Sequence, residues 1–238
     1  MSERVTGRLV GVGVGPGDPE LLTIKGLRAL READEVFVPV GDTGETGRAE
    51  AVVQAHLEPE RIKRLLFALS DDPQARVENW ERAAREVAKP LQGGKTCAFA
   101  TIGDPNLYST FTYLAQTTRK YVLEVDIYTV PGITAMQDLA SRSGTVLLVG
   151  NERLALLPFT AGRTALQSAL DGFETVVCYK GGGRLGEVLE VADEAGRIES
   201  GTYGTRLGME GEEVVRASEM AGREGTYLST IIFTRGEA

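Results

Sequence analysis

The chain of 238 residues carries 34 acidic against 26 basic side chains, a formal net charge of −8, with 42% hydrophobic and 25% charged residues. That describes a soluble globular protein of one large domain or two mid-sized ones, with room for a real core. The charge leaves no basic footprint for a nucleic-acid backbone, and no apolar run reaches the roughly 18 residues of a membrane span.

The opening Met-Ser-Glu-Arg-Val-Thr lacks the basic and apolar stretches of a secretory signal, so a cytoplasmic protein is expected. Arg8–Val14 reads as a strand, followed by a stiff loop and a helix capped by Thr23. The glycines of that loop imitate a dinucleotide fingerprint and fail it. Counting from Gly11 the sixth position is Pro16, and from Gly13 it is Asp18, so neither register gives G-x-G-x-x-G. Pro16 and Pro19 also remove backbone donors that a phosphate needs. Thr23–Glu32 is a helix with Ile24, Leu27 and Leu30 on one face at helical spacing. Glu35–Val40 is a second strand, and Asp42–Arg48 a polar loop punctuated by glycine. Helices over Arg48–Leu57 and Gln74–Leu91 bracket an apolar strand at Ile62–Leu69, and Trp80 and Val87 share the core side of the longer helix.

Thr96–Ile102 has the continuous apolar character of a buried parallel strand. It ends in Gly103-Asp104-Pro105, after which a helix is expected through Leu107, Phe111 and Leu114. Val122–Val130 is the next strand, closed by Pro131-Gly132, and a helix follows through Ala140. This alternation predicts an α/β fold, a parallel sheet with helices on both faces. Further on the strands are denser: Val146–Val149, Leu154–Leu157, Thr175–Tyr179, Gly201–Leu207 and Tyr227–Thr234, with helices over Thr164–Leu170 and Leu185–Ala195. A mixed sheet is expected there. A boundary between about Arg142 and Gly150 gives domains 1–142 and 143–238. Cys97 and Cys178 lie inside apolar strands and are expected as buried reduced thiols. With His56 the single histidine, there is no Cys/His zinc set, and no metal is expected.

Ligands of an open parallel sheet bind outside the carboxyl ends of its strands. Three glycine and proline loops fall at such ends: Gly15–Thr23, Gly103–Pro105 and Pro131–Thr134. Two readings stand for Gly103-Asp104-Pro105. It is an ordinary turn, or it sets a carboxylate beside the free N–H groups of a helix start, which suits a zwitterionic amino-acid ligand. Ser109 and Thr110, expected one turn into the helix, add hydroxyl donors or simply face solvent. No G-x-S-x-G, H-E-x-x-H or C-x-x-C motif occurs, so no catalytic acid, base or nucleophile is named. What remains is chemistry by approximation, as in group transfer from an activated donor.

Taken together, the loops resemble the signatures of the tetrapyrrole methylase family. Gly13-Val-Gly-Pro-Gly-Asp-Pro-Glu-Leu-Leu-Thr23, Gly103-Asp104-Pro105 and Val130-Pro-Gly-Ile-Thr-Ala135 occur in the family's order. Within it, Thr101-Ile-Gly-Asp-Pro-Asn-Leu-Tyr-Ser-Thr-Phe-Thr-Tyr-Leu114 is similar to the branch that methylates C20 of precorrin-2 or cobalt-factor II. Arg48-Ala-Glu50, Leu157-Pro158, Tyr179-Lys180 and Tyr227-Leu-Ser-Thr230 agree with that branch. The resemblance implies a two-domain fold with a parallel N-terminal and a mixed C-terminal sheet, a homodimer, and S-adenosylmethionine as methyl donor in a cleft between the domains. It implies cofactor contacts at Pro16, Gly103, Asp104, Leu107, Thr134 and Ala135, with Ser109 and Thr110 as added hydroxyls. Lys180, Gly204, Thr205 and Tyr227 are expected near the adenine. Many relatives carry an apolar residue near position 180, so Lys180 is a departure, as is Gly181-Gly-Gly183. The tetrapyrrole substrate bears many carboxylates, for which Arg48, Arg153 and Arg163 are candidate clamps. Three other readings stay open: a methylase of the same fold acting at another ring carbon, an RNA ribose methyltransferase, and a non-catalytic tetrapyrrole-binding protein.

Overall fold

The computed structural model describes residues 7–41, 46–67, 73–180, 182–226 and 229–236. It divides into two compact units, Met1–Thr134 and Ala135–Ala238.

The first unit is built on five parallel strands: β1 (Arg8–Gly13), β2 (Glu35–Val40), β3 (Ile62–Leu66), β4 (Thr96–Thr101) and β5 (Asp126–Val130), in the order β3-β2-β4-β1-β5. β1 pairs with β4 from Arg8↔Thr96 to Gly13↔Thr101, and with β5 from Arg8↔Asp126 to Val12↔Val130. Because side chains alternate across a strand, the apolar runs feed two cores. Val10, Val12, Val36, Val38, Ala98 and Ala100 pack on one face with α1 (Ile24–Glu32) and α2 (Arg48–Gln54). Leu9, Phe37, Cys97 and Phe99 pack on the other with α3 (Pro73–Gln92) and α4 (Phe111–Thr118). Thr23 caps α1 through its hydroxyl, which accepts the Gly26 N–H at 3.0 Å. Trp80 packs against the second core and stacks on Tyr113.

The second unit has β6 (Leu154–Pro158), β7 (Thr175–Tyr179), β8 (Gly201–Thr205), β9 (Glu213–Arg216) and β10 (Ser229–Phe233), in the order β6-β7-β10-β8-β9. Only β6 and β7 are parallel; β10 runs antiparallel to both β7 and β8, and β9 to β8. α6 (Arg163–Gly172) and α7 (Leu185–Glu194) cover one face, where Leu166, Val188, Cys178, Ile231 and Phe233 are buried together. On the other face α5 (Ala135–Ser143) packs Leu139 and Ala140 against Val177 and Ile232. Arg197 is 6% exposed and donates only to backbone carbonyls: Thr234, Leu170, Phe173, Glu174 and Phe233, at 2.6–3.4 Å.

Five points of the sequence reading differ from the structure. The helix after Gly103-Asp104-Pro105 begins only at Phe111, because the backbone at Tyr108 turns through φ +50°. The fifth strand starts at Asp126, with residues 123–124 forming a turn ahead of it. The apolar run 146–149 forms no strand and leaves Val146 and Val149 about two-thirds exposed, at 65% and 64%. β9 was not anticipated, since Glu213-Val-Val-Arg216 is a half-exposed edge with charged ends. The division of the units also falls ahead of α5, whose apolar side is committed to β10 and β8.

Candidate functional site

The three glycine loops meet at the carboxyl edge of β1, β4 and β5. β1 ends at Gly13, and α1 opens only at Ile24, so no helix start follows the strand as a dinucleotide loop requires. Val14 N–H donates to the Thr101 carbonyl at 2.9 Å, and Gly103 N–H to the Gly15 carbonyl at 2.7 Å. Gly13, Gly103 and Gly132 then approach backbone to backbone. A Cβ on Gly132 would lie 2.2 Å from the Gly103 oxygen and 2.7 Å from the Gly13 carbonyl carbon. Gly103 has φ +69°, and a Cβ there would meet nothing within 4 Å, so this glycine borders open space. Pro16, in the first loop, is buried.

Asp104 fastens the second loop to the third. One carboxylate oxygen accepts the Gly132 N–H at 3.1 Å and the other the Asn106 N–H at 2.8 Å. Asn106 in turn donates its amide to the Thr129 hydroxyl at 3.0 Å. Ser109 and Thr110 precede α4 instead of lying a turn inside it. Ser109 is buried, with its hydroxyl 3.0 Å from that of Thr101 and accepting the Phe111 N–H at 3.1 Å. Thr110 is the residue before the helix and makes no side-chain cap. Leu107 is half-buried beside them.

Arg48 is the first residue of α2, a helix start held by the buried carboxylate of Glu50 in the same Arg48-Ala-Glu50 stretch. Glu50, 3% exposed, accepts the Gly47 N–H at 3.1 Å, the Arg64 guanidinium at 2.8 Å and the Gln54 amide at 3.3 Å. His56 donates its Nε2–H to the Pro19 carbonyl at 3.0 Å, tying the end of α2 to the first loop. Arg153 pairs with Glu174 and donates to the Gly172 carbonyl, and Arg163 pairs with Glu190 and Glu194. Both candidate clamps in the second unit are therefore engaged with the protein itself.

In the second unit, Lys180 follows β7 and Arg206 follows β8, both in left-handed backbone at φ +59° and +51°. Since β10 is antiparallel to both strands, their carboxyl ends share one edge, with Gly204 and Thr205 at the end of β8. Thr205 hydrogen-bonds to the Thr226 hydroxyl, and the Tyr179 hydroxyl accepts the Met136 N–H of α5 at 3.1 Å. Ala135 is the first residue of α5, and Thr134, buried, ends the first unit. Tyr227 lies outside the described residues. Burial pushes the Cys97 and Cys178 thiols up to about 12, so neither is a thiolate nucleophile. No cluster of metal ligands occurs among the described residues, and none of their helices is long and apolar enough to cross a membrane.

Three loops clamped by glycine contacts at the carboxyl edge of a parallel sheet, with a mixed-sheet second unit, define an α/β protein built to hold ligands at strand ends. The sequence profile of the tetrapyrrole (corrin/porphyrin) methylases matches residues 8–221. The precorrin-2 C(20)-methyltransferase of Sinorhizobium sp is 32% identical over 242 residues, covering 98% of this chain and 97% of that protein. The probable cobalt-precorrin-2 C(20)-methyltransferase of Methanocaldococcus jannaschii is 36% identical over 173 residues, 73% of this chain and 72% of that protein. A crystal structure of uroporphyrin-III C-methyltransferase from Thermus thermophilus, complexed with S-adenosylhomocysteine, shares the fold: TM-score 0.68, 22% identity, 96% of this chain and 97% of that one covered. The chain belongs to the tetrapyrrole methylase family.

Proposed function

We infer that this chain transfers a methyl group from S-adenosylmethionine to C20 of precorrin-2 or of its cobalt complex, a step of cobalamin biosynthesis. The observation that carries the reading is the clamp of Gly13, Gly103 and Gly132 with Asp104, beside Thr101–Leu114, the segment most like the C20 branch. The near full-length likeness to a precorrin-2 C(20)-methyltransferase supports it.

The residues present fit the cofactor. Gly103 borders open space where a side chain would intrude, and Asp104 is engaged in holding the loops, so the ligand meets backbone and small side chains. In the first unit, Pro16, Gly103, Leu107 and Thr134 are the residues proposed to hold it. When bound, the sulfonium supplies a methyl carbon that is already electrophilic. The protein's own task would be positioning, holding the ring carbon and the methyl donor together so that transfer needs no further acid or base. Asp104 and Ser109 set the loop backbone for that approach. Arg48, on the helix start fixed by Glu50, is proposed to meet a substrate carboxylate. The net charge of −8 supports a partner set without nucleic acid. A cytoplasmic homodimer completes the reading, supported by the exposed apolar run 146–149.

Anaerobic incubation with S-adenosylmethionine and either tetrapyrrole, followed by mass spectrometry, tests it. A gain of one methyl mapped to C20 is expected. Methylation at another carbon replaces the C20 reading with a different methylase of the family. No gain on either substrate, with S-adenosylhomocysteine still bound, overturns the assignment of substrate.

A further inference from the structure

The backbone of the first glycine loop is fixed at two points, and only one of them belongs to the sheet. At its near end the Gly15 carbonyl accepts Gly103 N–H at 2.7 Å, just past β4. Beyond that, residues 18–22 close on themselves. The Asp18 carboxylate accepts Glu20 N–H at 2.9 Å, the Asp18 carbonyl accepts Leu21 N–H at 3.1 Å, and the Pro19 carbonyl accepts Leu22 N–H at 3.2 Å. Among the described residues, a single hydrogen bond reaches residues 16–22 from another element: His56 Nε2–H donates to the Pro19 carbonyl at 3.0 Å, across 37 positions of sequence. Leu22 also packs on the core by its side chain, so what His56 adds is a hold on the turn's backbone. The histidine stands on a rigid mount. Its own N–H donates to the Val53 carbonyl at 2.9 Å, Val52, Val53 and Leu57 are buried in the core, and Glu50 fixes the other end of α2. Pro16 and Gly17, both buried, lie between the two fixed points. A ring nitrogen that faces a carbonyl carries its proton in neutral and charged imidazole alike, so the bond persists through titration.

We propose that His56 is a positioning residue for the methyl donor: through the Pro19 carbonyl it holds the Pro16–Gly17 backbone in the form the cofactor meets. It acts through Pro19 and not by contact, since its Nε2–H is committed to that carbonyl. The inference rests on the cofactor reading above, in which Pro16 is a contact. A loop already ordered in the free protein loses less conformational freedom when the ligand binds, so the bond is read as affinity for the donor.

His56→Gln and His56→Leu test this. A glutamine amide places a donor near the position of Nε2, whereas leucine keeps the bulk and removes the donor. By calorimetry, the Kd for S-adenosylhomocysteine is expected to rise about fivefold in His56→Leu, the size of one neutral hydrogen bond. In His56→Gln it is expected to return to within about twofold of the parent. KM for S-adenosylmethionine is expected to rise in His56→Leu by more than kcat falls. Amide hydrogen exchange at Glu20, Leu21 and Leu22 is expected to quicken in His56→Leu before any ligand is added, and unchanged exchange there overturns the inference. Parent-like affinity in His56→Leu overturns it. So does a His56→Gln variant that falls as far as leucine, because ring packing and not the bond then matters. A His56→Leu chain that does not fold overturns it too, placing the histidine among the residues that hold the unit together. A parent that binds no S-adenosylhomocysteine overturns the cofactor reading and this inference with it, whereas a parent and a leucine variant that bind equally overturn the inference alone.

Discussion

The Asp104 carboxylate accepts the Gly132 N–H at 3.1 Å, joining two loops 28 residues apart in sequence. With its other oxygen on Asn106 N–H, the side chain acts as a staple across the carboxyl edge of β4 and β5. Hydrogen bonds to a charged acceptor contribute about 1.5–3 kcal/mol each, less where water reaches them. Asp104→Ala is therefore expected to lower stability by about 1–3 kcal/mol, read as a shift in the urea midpoint. It is also expected to weaken S-adenosylhomocysteine binding. Asp104→Asn keeps an acceptor for Asn106 but turns an amide donor toward Gly132, so it recovers only part of the loss.

Gly132 tolerates no side chain. A Cβ there would sit 2.2 Å from the Gly103 carbonyl oxygen, and backbone cannot swing aside as a flexible side chain does. Gly132→Ala is expected to cost about 3 kcal/mol or more and to abolish tight S-adenosylhomocysteine binding. Gly186→Ala, in α7, is the control. Nothing lies within 4 Å of its Cβ position, and helix propensity predicts stabilisation of about 0.5–1 kcal/mol. Equal effects at the two positions in parallel denaturation curves would contradict the clamp.

Much of the first unit was legible because each of its strands carries alternating or continuous apolar residues bounded by glycine and proline. The meeting of the three loops was legible only as an expectation from strand ends; their backbone contacts are set by parallel pairing between distant segments. Residues 146–149 show why a run of apolar residues does not make a strand. β-propensity is realised only against a neighbour, and these residues have no ladder partner among the described residues. Tyr108 was opaque for a different reason, since positive φ at a non-glycine residue has no compositional signal. The contacts of Glu50 and His56 had no signal in the sequence, though Glu50 stands in the Arg48-Ala-Glu50 motif and His56 is the single histidine. Their roles come from Gly47, Arg64 and Pro19, which the fold brings to them.

Glu50 is the only buried carboxylate on α2, and it holds that helix's first turn. Removing one partner of a buried pair costs about 3–5 kcal/mol, and the half-open Arg64 reduces this to about 2–3 kcal/mol. Glu50→Ala should show that loss in chemical denaturation. If Arg48 meets a substrate carboxylate, Arg48→Ala raises KM for the tetrapyrrole more than it lowers kcat. Unchanged KM would separate Arg48 from the substrate.

Among the described residues Arg197 forms no salt bridge; five carbonyls accept from its guanidinium, and burial lowers its pKa. The carbonyls of Leu170 and Phe173 belong to the end of α6, where helix carbonyls lack intrahelical donors. Arg197→Met strands these acceptors in a buried site, at about 1–3 kcal/mol for each left unpaired. A total loss of about 3–5 kcal/mol is expected once the site relaxes. Arg197→Lys is expected to fall nearly as far, since a single ammonium cannot span the fork that the guanidinium fills.

Glu174 ties the same corner to solution pH. The Arg153 guanidinium and then the Arg153 N–H hold its carboxyl down from 4.5 to about 2. Arg235 adds a contact at 3.2 Å. A carboxyl whose folded pKa is depressed contributes stability that is fully present above the unfolded value and is lost as protonation proceeds. The stabilisation from Glu174 is therefore whole above about pH 4.5 and disappears as the pH falls toward about 2. Denaturation midpoints measured from pH 7 to pH 2 should fall more steeply for the parent than for Glu174→Gln, with the two curves converging at the acid end. Parallel curves would show that the Arg153–Glu174 pair is not the source of the acid sensitivity. Because the Glu174 carbonyl also accepts from Arg197 at 2.6 Å, the same variant reports whether side-chain protonation loosens the arginine hub. If it does, Arg197→Met at pH 7 and the parent at acid pH should share a common loss of cooperativity in the second unit.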